Sequence, residues 1–227
     1  RRIFMEVAHP VHGVQHAAAA GRLFNPGHSI EVAWFVLRLC RLSPDPDLEG
    51  MALAALEGSL ELGWDAAHGG GLVYMLDVLG KPLADCTVTA EHKLWWPHTE
   101  ALIACTLALE HTGDTKWLEW LRKVHIYVYT HFYDGGKAGG KAEGKAGGSD
   151  EIIQVGQDGV CRARAGGGGD GGDGGGGGGG EWFGYLRRDG SVFNECKGGN
   201  YKGFFHVPRG LLMSMRTAER YLAKTAQ

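Results

Sequence analysis

Apolar residues recur along most of the chain at the three- and four-residue intervals that place side chains on one face of an α-helix. Ile30, Trp34, Leu37 and Arg41 begin one stripe, Trp117, Leu121, Val124 and Val128 form a second, and Leu211, Met215, Ala218 and Leu222 a third. Met51 to Leu62 and Thr99 to His111 predict two further helices. The second is stopped by His111-Thr112-Gly113-Asp114, because glycine takes the left-handed position after a helix without a Cβ penalty. Strand candidates are short: Ile3 to Val7, Leu72 to Leu76, and Tyr185-Leu186, the last followed by the hairpin-turn run Arg187-Arg188-Asp189-Gly190. The pattern predicts helices in pairs with small hairpins on one end.

The periodicity stops after Tyr133. From Asp134 to Gly180 the chain is dominated by glycine and holds more than half of its 39 glycines. So little apolar surface cannot offset the backbone entropy of ordering, so residues 134–180 are expected to be disordered and dispensable. No G-x-x-x-x-G-K-[ST] run, and no G-x-G-x-x-G between a strand and a helix, makes the tract a phosphate loop. The expected organisation is therefore a first part over residues 1–133, the insert, and a final part over residues 181–227.

Composition narrows the partners. With 227 residues, 44% hydrophobic content and a formal charge of −3, the chain can bury one sizeable core and carries no basic surplus for nucleic acid. Charged residues interrupt every apolar run before the ~20 residues needed to cross a bilayer, and the Arg1-Arg2 start lacks the apolar stretch of a secretion signal. Cys40, Cys86, Cys105, Cys161 and Cys196 are odd in number and never in C-x-x-C spacing, which reads as reduced thiols of a soluble cytoplasmic protein.

Polar residues gather where the helices begin. Asn25-Pro26 precedes a first turn containing His28 and Glu31, spaced i, i+3 and hence on one face, where the carboxylate can orient the imidazole. Trp95, Trp96, His98 and Glu100 surround a second start marked by Pro97, and Phe204, Phe205, His206 and Arg209 a third at Pro208, with Lys197 and Lys202 upstream. N-capping and dipole compensation account for Glu31 and Glu100. They do not account for the histidines, since a cationic imidazole is unfavourable at a helix N-terminus. The three are expected to be neutral and able to accept a proton, the alternative for each being a hydrogen-bonded core histidine. Zinc on His28, His98 and His206 lacks a local H-E-x-x-H or H-x-H chelate, and no G-x-S-x-G elbow is present, so no metal and no serine nucleophile is expected.

Five blocks in order, GRLFNPGHSIEVAWFVLR, GWDAAHGGGLVYMLD, HKLWWPHTEALIA, EWFGYLRRDG and KGGNYKGFFHVPR, resemble the N-acylglucosamine 2-epimerase (renin-binding protein) family over nearly all of residues 3–133 and 181–221. The resemblance implies an all-α fold, an (α/α)6 barrel with its active site in a funnel at one end. It also implies metal-free chemistry at C2 of an open-chain aldose, in which one histidine removes the proton, a cis-enediolate forms, and another histidine returns a proton from the opposite face. The H-x-x-E motif falls on His28 and Glu31, W-W-P-H-x-E on Trp96, His98 and Glu100, and F-H-V-P-R on His206 and Arg209. His28 and His206 resemble the acid/base pair, with Glu31 and Glu100 beside them. Trp95, Trp96 and His98 are expected to hold the sugar, Phe204 and Phe205 to exclude water, and Lys197, Lys202 or Arg209 to stabilise charge on oxygen. The wording of the motifs leans to N-acetylglucosamine and N-acetylmannosamine. The family further implies no cofactor beyond ATP as an allosteric activator, a homodimer at full length, and neither nucleic acid nor membrane as partner.

Twelve helices with their connections need roughly 350 to 400 residues. A partial barrel of six to seven helices is thus expected here, lacking the amino-terminal half, with the glycine tract inserted between Asp134 and Glu181. Such a chain alone is expected to self-associate and to be a poor catalyst. Three other readings stay open: another aldose or disaccharide 2-epimerase or isomerase on the same barrel, an inverting glycoside hydrolase using Glu31 and Glu100, and a truncated, non-catalytic interaction protein.

Overall fold

The stripes become helices with identifiable starts and stops. A computed structural model describes residues 2–81, 83, 90–135, 154–155, 161–162 and 180–226. The chain divides into two units, one of Arg1–Gly135 with Glu181–Gln227 and one of Gly136–Gly180.

In the first unit, a 3-10 turn (Ala20–Arg22) and strand β1 (Leu23–Phe24) lead into α1 (Pro26–Leu42). The Asn25 side chain caps α1 by accepting from the His28 amide at 3.1 Å, and Pro26 at the first helical position gives up an N–H that would have had no partner. Asp45 caps α2 (Pro46–Gly63) in the same manner. A 3-10 turn (Ala66–His68), β2 (Leu76–Asp77) and β3 (Lys93–Leu94) precede α3 (Trp95–Thr112), which stops at Gly113 with φ 69°. Helix α4 (Lys116–Tyr127) runs on as a π turn, Val128–Phe132. The second unit contains the antiparallel pair β4 (Gln154–Val155) and β5 (Cys161–Arg162), described within a stretch expected to hold no regular structure; apart from Gly180, its remaining residues lie outside the described ones. Strand β6 (Tyr185–Leu186) and α5 (His206–Thr225) complete the first unit. β1 pairs with β2, and β3 with β6, so each two-stranded ribbon is attached to the start of a helix.

Helix α3 organises the unit. Fifteen of its residues, from Trp95 to Glu110 with Trp96 excepted, are buried, so it is enclosed on every side instead of showing the one-sided pattern of a surface helix. α1 packs along one flank and α5 along the other, while α2 backs α1 and α4 backs α3. Near the far end of α3, Glu110 accepts from Arg220 of α5 at 2.9 and 3.1 Å and from Arg41 of α1. Burial works to raise its pKa, but these two arginines override it and hold the carboxyl at about 2.

Several expectations need correction. Ile3 to Val7 forms no strand; Leu72 makes only an isolated bridge to Trp64, and regular pairing begins at Leu76. On α5 the Leu211–Met215–Ala218–Leu222 stripe holds only in part: Leu211 packs partly buried against the core, but Met215 is 55% and Leu222 59% exposed, and the buried positions are Gly210 and Thr217 on the face that meets α3. Small residues win there because α5 lies close: a Cβ on Gly210 would stand 2.9 Å from Cβ of Thr99. Against the six to seven helices expected, the described residues contain five α-helices, two 3-10 turns and the π turn. None of these helices is long and apolar enough to cross a membrane.

His98, expected to touch substrate, belongs to the framework. It is wholly enclosed; its Nδ1 donates to the Leu94 carbonyl at 2.7 Å, and its Nε2 accepts the Leu72 amide at 2.9 Å. Burial drives its pKa down to about 3. The folded protein thus keeps His98 neutral where the unfolded chain binds a proton, and stability falls as pH drops from about 6.5 toward 3, by up to about 1.4 kcal/mol per pH unit.

Two predictions follow from these contacts. The stability advantage of wild type over His98→Gln, from denaturant unfolding, is expected to shrink by about 2 kcal/mol between pH 7 and pH 5. The second concerns the chain on either side of the glycine tract, where Tyr133 bridges Trp182, the Asp134 amide donates to the Glu181 carbonyl at 3.1 Å, and Gly135 has φ 69°. Splicing Gly135 directly to Gly180 leaves a two-residue Gly-Gly turn between an already paired Asp134 and Glu181. It is expected to preserve the helical circular dichroism and to stabilise by on the order of 1–3 kcal/mol through the shorter loop.

Candidate acid and base site

Three helix starts meet at one end of the α1–α3–α5 row, and the residue between them is Trp96. Gly27 of α1 lies so near that a Cβ there would stand 2.6 Å from the Trp96 ring. The approach puts the ring of His28 4.9 Å from that of Trp96, centroid to centroid, and the ring of His206 at 5.8 Å. Trp95 is buried behind, edge-on to Tyr185 and to His206. Two of the three predicted histidines are thus brought to one aromatic residue.

Each of the two imidazoles has its own carboxylate. The Nδ1 of His206, the first residue of α5, lies 2.8 Å from Oε1 of the fully buried Glu100. Trp34 donates its Nε1–H to the other oxygen at 2.8 Å, and Arg209 donates to Oε1 and, at 3.2 Å, to Glu31. Arg209 also stands 3.3 Å from His206 Nδ1; both are donors toward the same carboxylate, so that approach reflects a shared acceptor. An Nδ1–H directed at Glu100 leaves the lone pair of His206 on Nε2.

His28 is held differently from the i, i+3 expectation. Its Nδ1 lies 2.9 and 3.0 Å from the two oxygens of Glu6, while Glu31 turns to Arg209. The Glu6 hydrogen bond outweighs partial burial and, with the charges of Glu6 and Glu31, raises the pKa of His28. Against the neutral His28 expected at a helix terminus, a carboxylate from another segment favours the charged form. Nε2 of both His28 and His206 has no hydrogen-bond partner among the described residues.

Other predicted residues have different employment. Lys197 pairs with Asp134; Lys202, 6% exposed, donates to the Lys197 carbonyl at 2.6 Å and lies 3.2 Å from Glu181. Both fasten the 197–202 loop to the two sides of the glycine tract, and their ammonium groups are taken. Phe204 is 91% exposed and shields nothing, whereas Phe205 stacks on Arg209 at 4.2 Å. Glu31, Glu100 and His206 bring donor atoms within 4.8 Å of one another, a spacing that could hold a cation, and the Arg209 guanidinium already supplies positive charge to both carboxylates. The same closeness is short of the roughly 6.5–9.5 Å between the carboxyl groups of an inverting hydrolase. A cleft of about 820 Å³ lined by Trp64, Asp65, Asp77, Glu91 and Arg188 contains none of the predicted residues. Sequence reading missed Glu6, hidden in an apolar stretch, and Trp34, which read as core.

The N-acylglucosamine 2-epimerase (GlcNAc 2-epimerase) family matches residues 3–142. Proteins named N-acylglucosamine 2-epimerase from Bos taurus and Homo sapiens are each 32% identical, over 215 and 219 residues, covering 94% of this chain. The chain spans 40% of the length of these curated relatives. Among solved structures, a D-mannose isomerase superposes with TM-score 0.57 at 18% identity, over 86% of this chain and 37% of that one. The cellobiose 2-epimerase of Bacillus thermoamylovorans B4167 gives 0.56 at 20%, over 86% and 38%. These likenesses show the fold: the paired helices are part of an (α/α)6 barrel. On the family match and the shared identity, the chain belongs to the N-acylglucosamine 2-epimerase family.

Proposed function

We propose that the chain carries the acid/base centre of a sugar 2-epimerase that interconverts N-acetylglucosamine and N-acetylmannosamine. The observation that carries this reading is the pair of imidazoles on Trp96, each with Nδ1 engaged by a carboxylate and Nε2 left open. Inversion at C2 of an open-chain aldose needs two weak bases on opposite faces of one carbon. One Nε2 takes the C2 proton, the electron pair moves into a C1–C2 double bond, and the aldehyde oxygen becomes the enediolate oxygen. The other imidazolium then returns a proton to C2 from the far side, and the C1 carbonyl re-forms.

Imidazole suits both steps because its proton affinity lies near neutrality. Trp96 supplies an apolar face for the sugar, which limits the water able to protonate the intermediate at random. Glu100 and Glu31 act in this scheme by orienting His206 and Arg209. The preference for an N-acyl-hexosamine rests on the relatives' names and motif wording. ATP is put forward as an allosteric activator and a homodimer as the assembly, on the same resemblance. The cytoplasm is put forward as the location, in keeping with Cys40, Cys105 and Cys196 as free thiols.

In an active preparation, His28→Ala or His206→Ala is expected to lower kcat by roughly 10² to 10⁴ with a smaller change in KM. Near wild-type rates in both would overturn the two-base scheme. Epimerisation of N-acetylmannosamine in D2O is expected to place deuterium at C2 of the product, read by proton NMR. Turnover without C2 deuterium would rule out the scheme; release of sugar from a β-glycoside would favour the hydrolase, and no turnover of either the interaction protein.

A further inference from the structure

We infer that Glu6 is a positioning residue that loads His28 with the proton the site holds between turnovers, so that at rest the two imidazoles are unequal. The inference rests on the reading of His28 and His206 as an acid/base pair. Its basis is the different company of the two carboxylates. Glu100 is shared: Trp34, Arg209 and His206 all donate to it, and the Arg209 guanidinium offsets its charge. Glu6 contacts His28 through both oxygens, and no lysine or arginine pairs with it among the described residues. An uncompensated carboxylate on Nδ1 stabilises imidazolium; a carboxylate already neutralised by a guanidinium does so far less.

Four elements face His28, and three of them bring charged or titratable groups. Segment 2–8 supplies Glu6; α1 itself supplies Glu31, which is paired with Arg209; α3 offers only the uncharged Trp96; α5 offers His206 across that indole, and Arg209 beyond Glu31. Both carboxylates near His28 favour its charged form, in line with its raised pKa.

Glu6 is also held in place for this task. The Phe4 amide donates to Ser29 Oγ at 2.9 Å, one residue beyond His28, and Ser29 Oγ accepts from Ser59 of α2 at 2.7 Å. The Glu6 amide donates to Leu23. The segment is therefore tied two residues before Glu6 and at Glu6 itself, which holds the carboxylate against Nδ1 although His28 is about half exposed.

The test is an NMR titration of the histidine rings in wild type, Glu6→Gln and Glu6→Asp, on the full chain. His28 is expected to titrate above the ordinary imidazole value of about 6.5 in wild type, to fall toward it in Glu6→Gln, and to be largely restored in Glu6→Asp. In turnover assays the alkaline limb of kcat/KM is expected to shift to lower pH in Glu6→Gln, with KM little changed. An unchanged His28 titration in Glu6→Gln, or a limb that stays fixed while the titration moves, would overturn the inference. If His28 moves as expected but no sugar is epimerised even with an amino-terminal half supplied, the link between Glu6 and His28 stands and the functional reading falls. Glu6→Asp, which keeps the charge, separates loss of the proton partner from simple loosening of the segment.

Discussion

A carboxylate with no exposed surface has to be neutralised by what surrounds it, and at Glu100 that requirement sets the positions of three helices. Burying an isolated ion costs several kcal/mol, and removing one partner of a buried pair typically costs about 3–5 kcal/mol. Glu100 meets the demand with Trp34 from α1 and His206 and Arg209 from α5. Glu110 repeats the arrangement near the other end of α3 with Arg41 and Arg220. The central helix therefore joins α1 to α5 at both ends through charge, while its apolar residues fill the space between.

The arrangement that holds the fold also arms the site. His206 is fixed by the ion network that packs α5 onto α3, so its ring orientation is as firm as the helix interface. His28 depends on a peripheral segment and on a carboxylate that serves it alone. One imidazole is held by the core and the other by an addition to it, a division that lets the proton affinity of one be adjusted without loosening the other.

Much of this was legible in the sequence, for reasons that residue types make plain. The start of α1 at Asn25-Pro26 and the stop of α3 at Gly113 were readable because those residues act locally, whereas the Asp45-Pro46 cap, five residues ahead of the expected start at Met51, went unread; the three histidines were conspicuous because imidazole is out of place at a helix N-terminus. Partners were not readable, because they are set by tertiary contact. The i, i+3 spacing offered Glu31 to His28, yet Glu6, twenty-two positions earlier, takes the bond. Lys197 and Lys202 looked available, but Asp134 and Glu181 claim them from across the glycine tract. The face of α5 was partly misread because its burial is decided by the close approach at Gly210, where the absence of a side chain matters more than apolar character.

The pairing of Tyr133 and Asp134 with Trp182 and Glu181 has a consequence for how the first unit could be assembled. A backbone break anywhere in 136–180 yields two pieces, one with α1 to α4 and one with β6 and α5, that meet through the β3–β6 ribbon, the α3–α5 interface and the ion networks at Glu100 and Glu110. The unit thus has the layout of a split protein. Neither piece holds both imidazoles, so a signal that depends on His28 and His206 together would report the joining of the two.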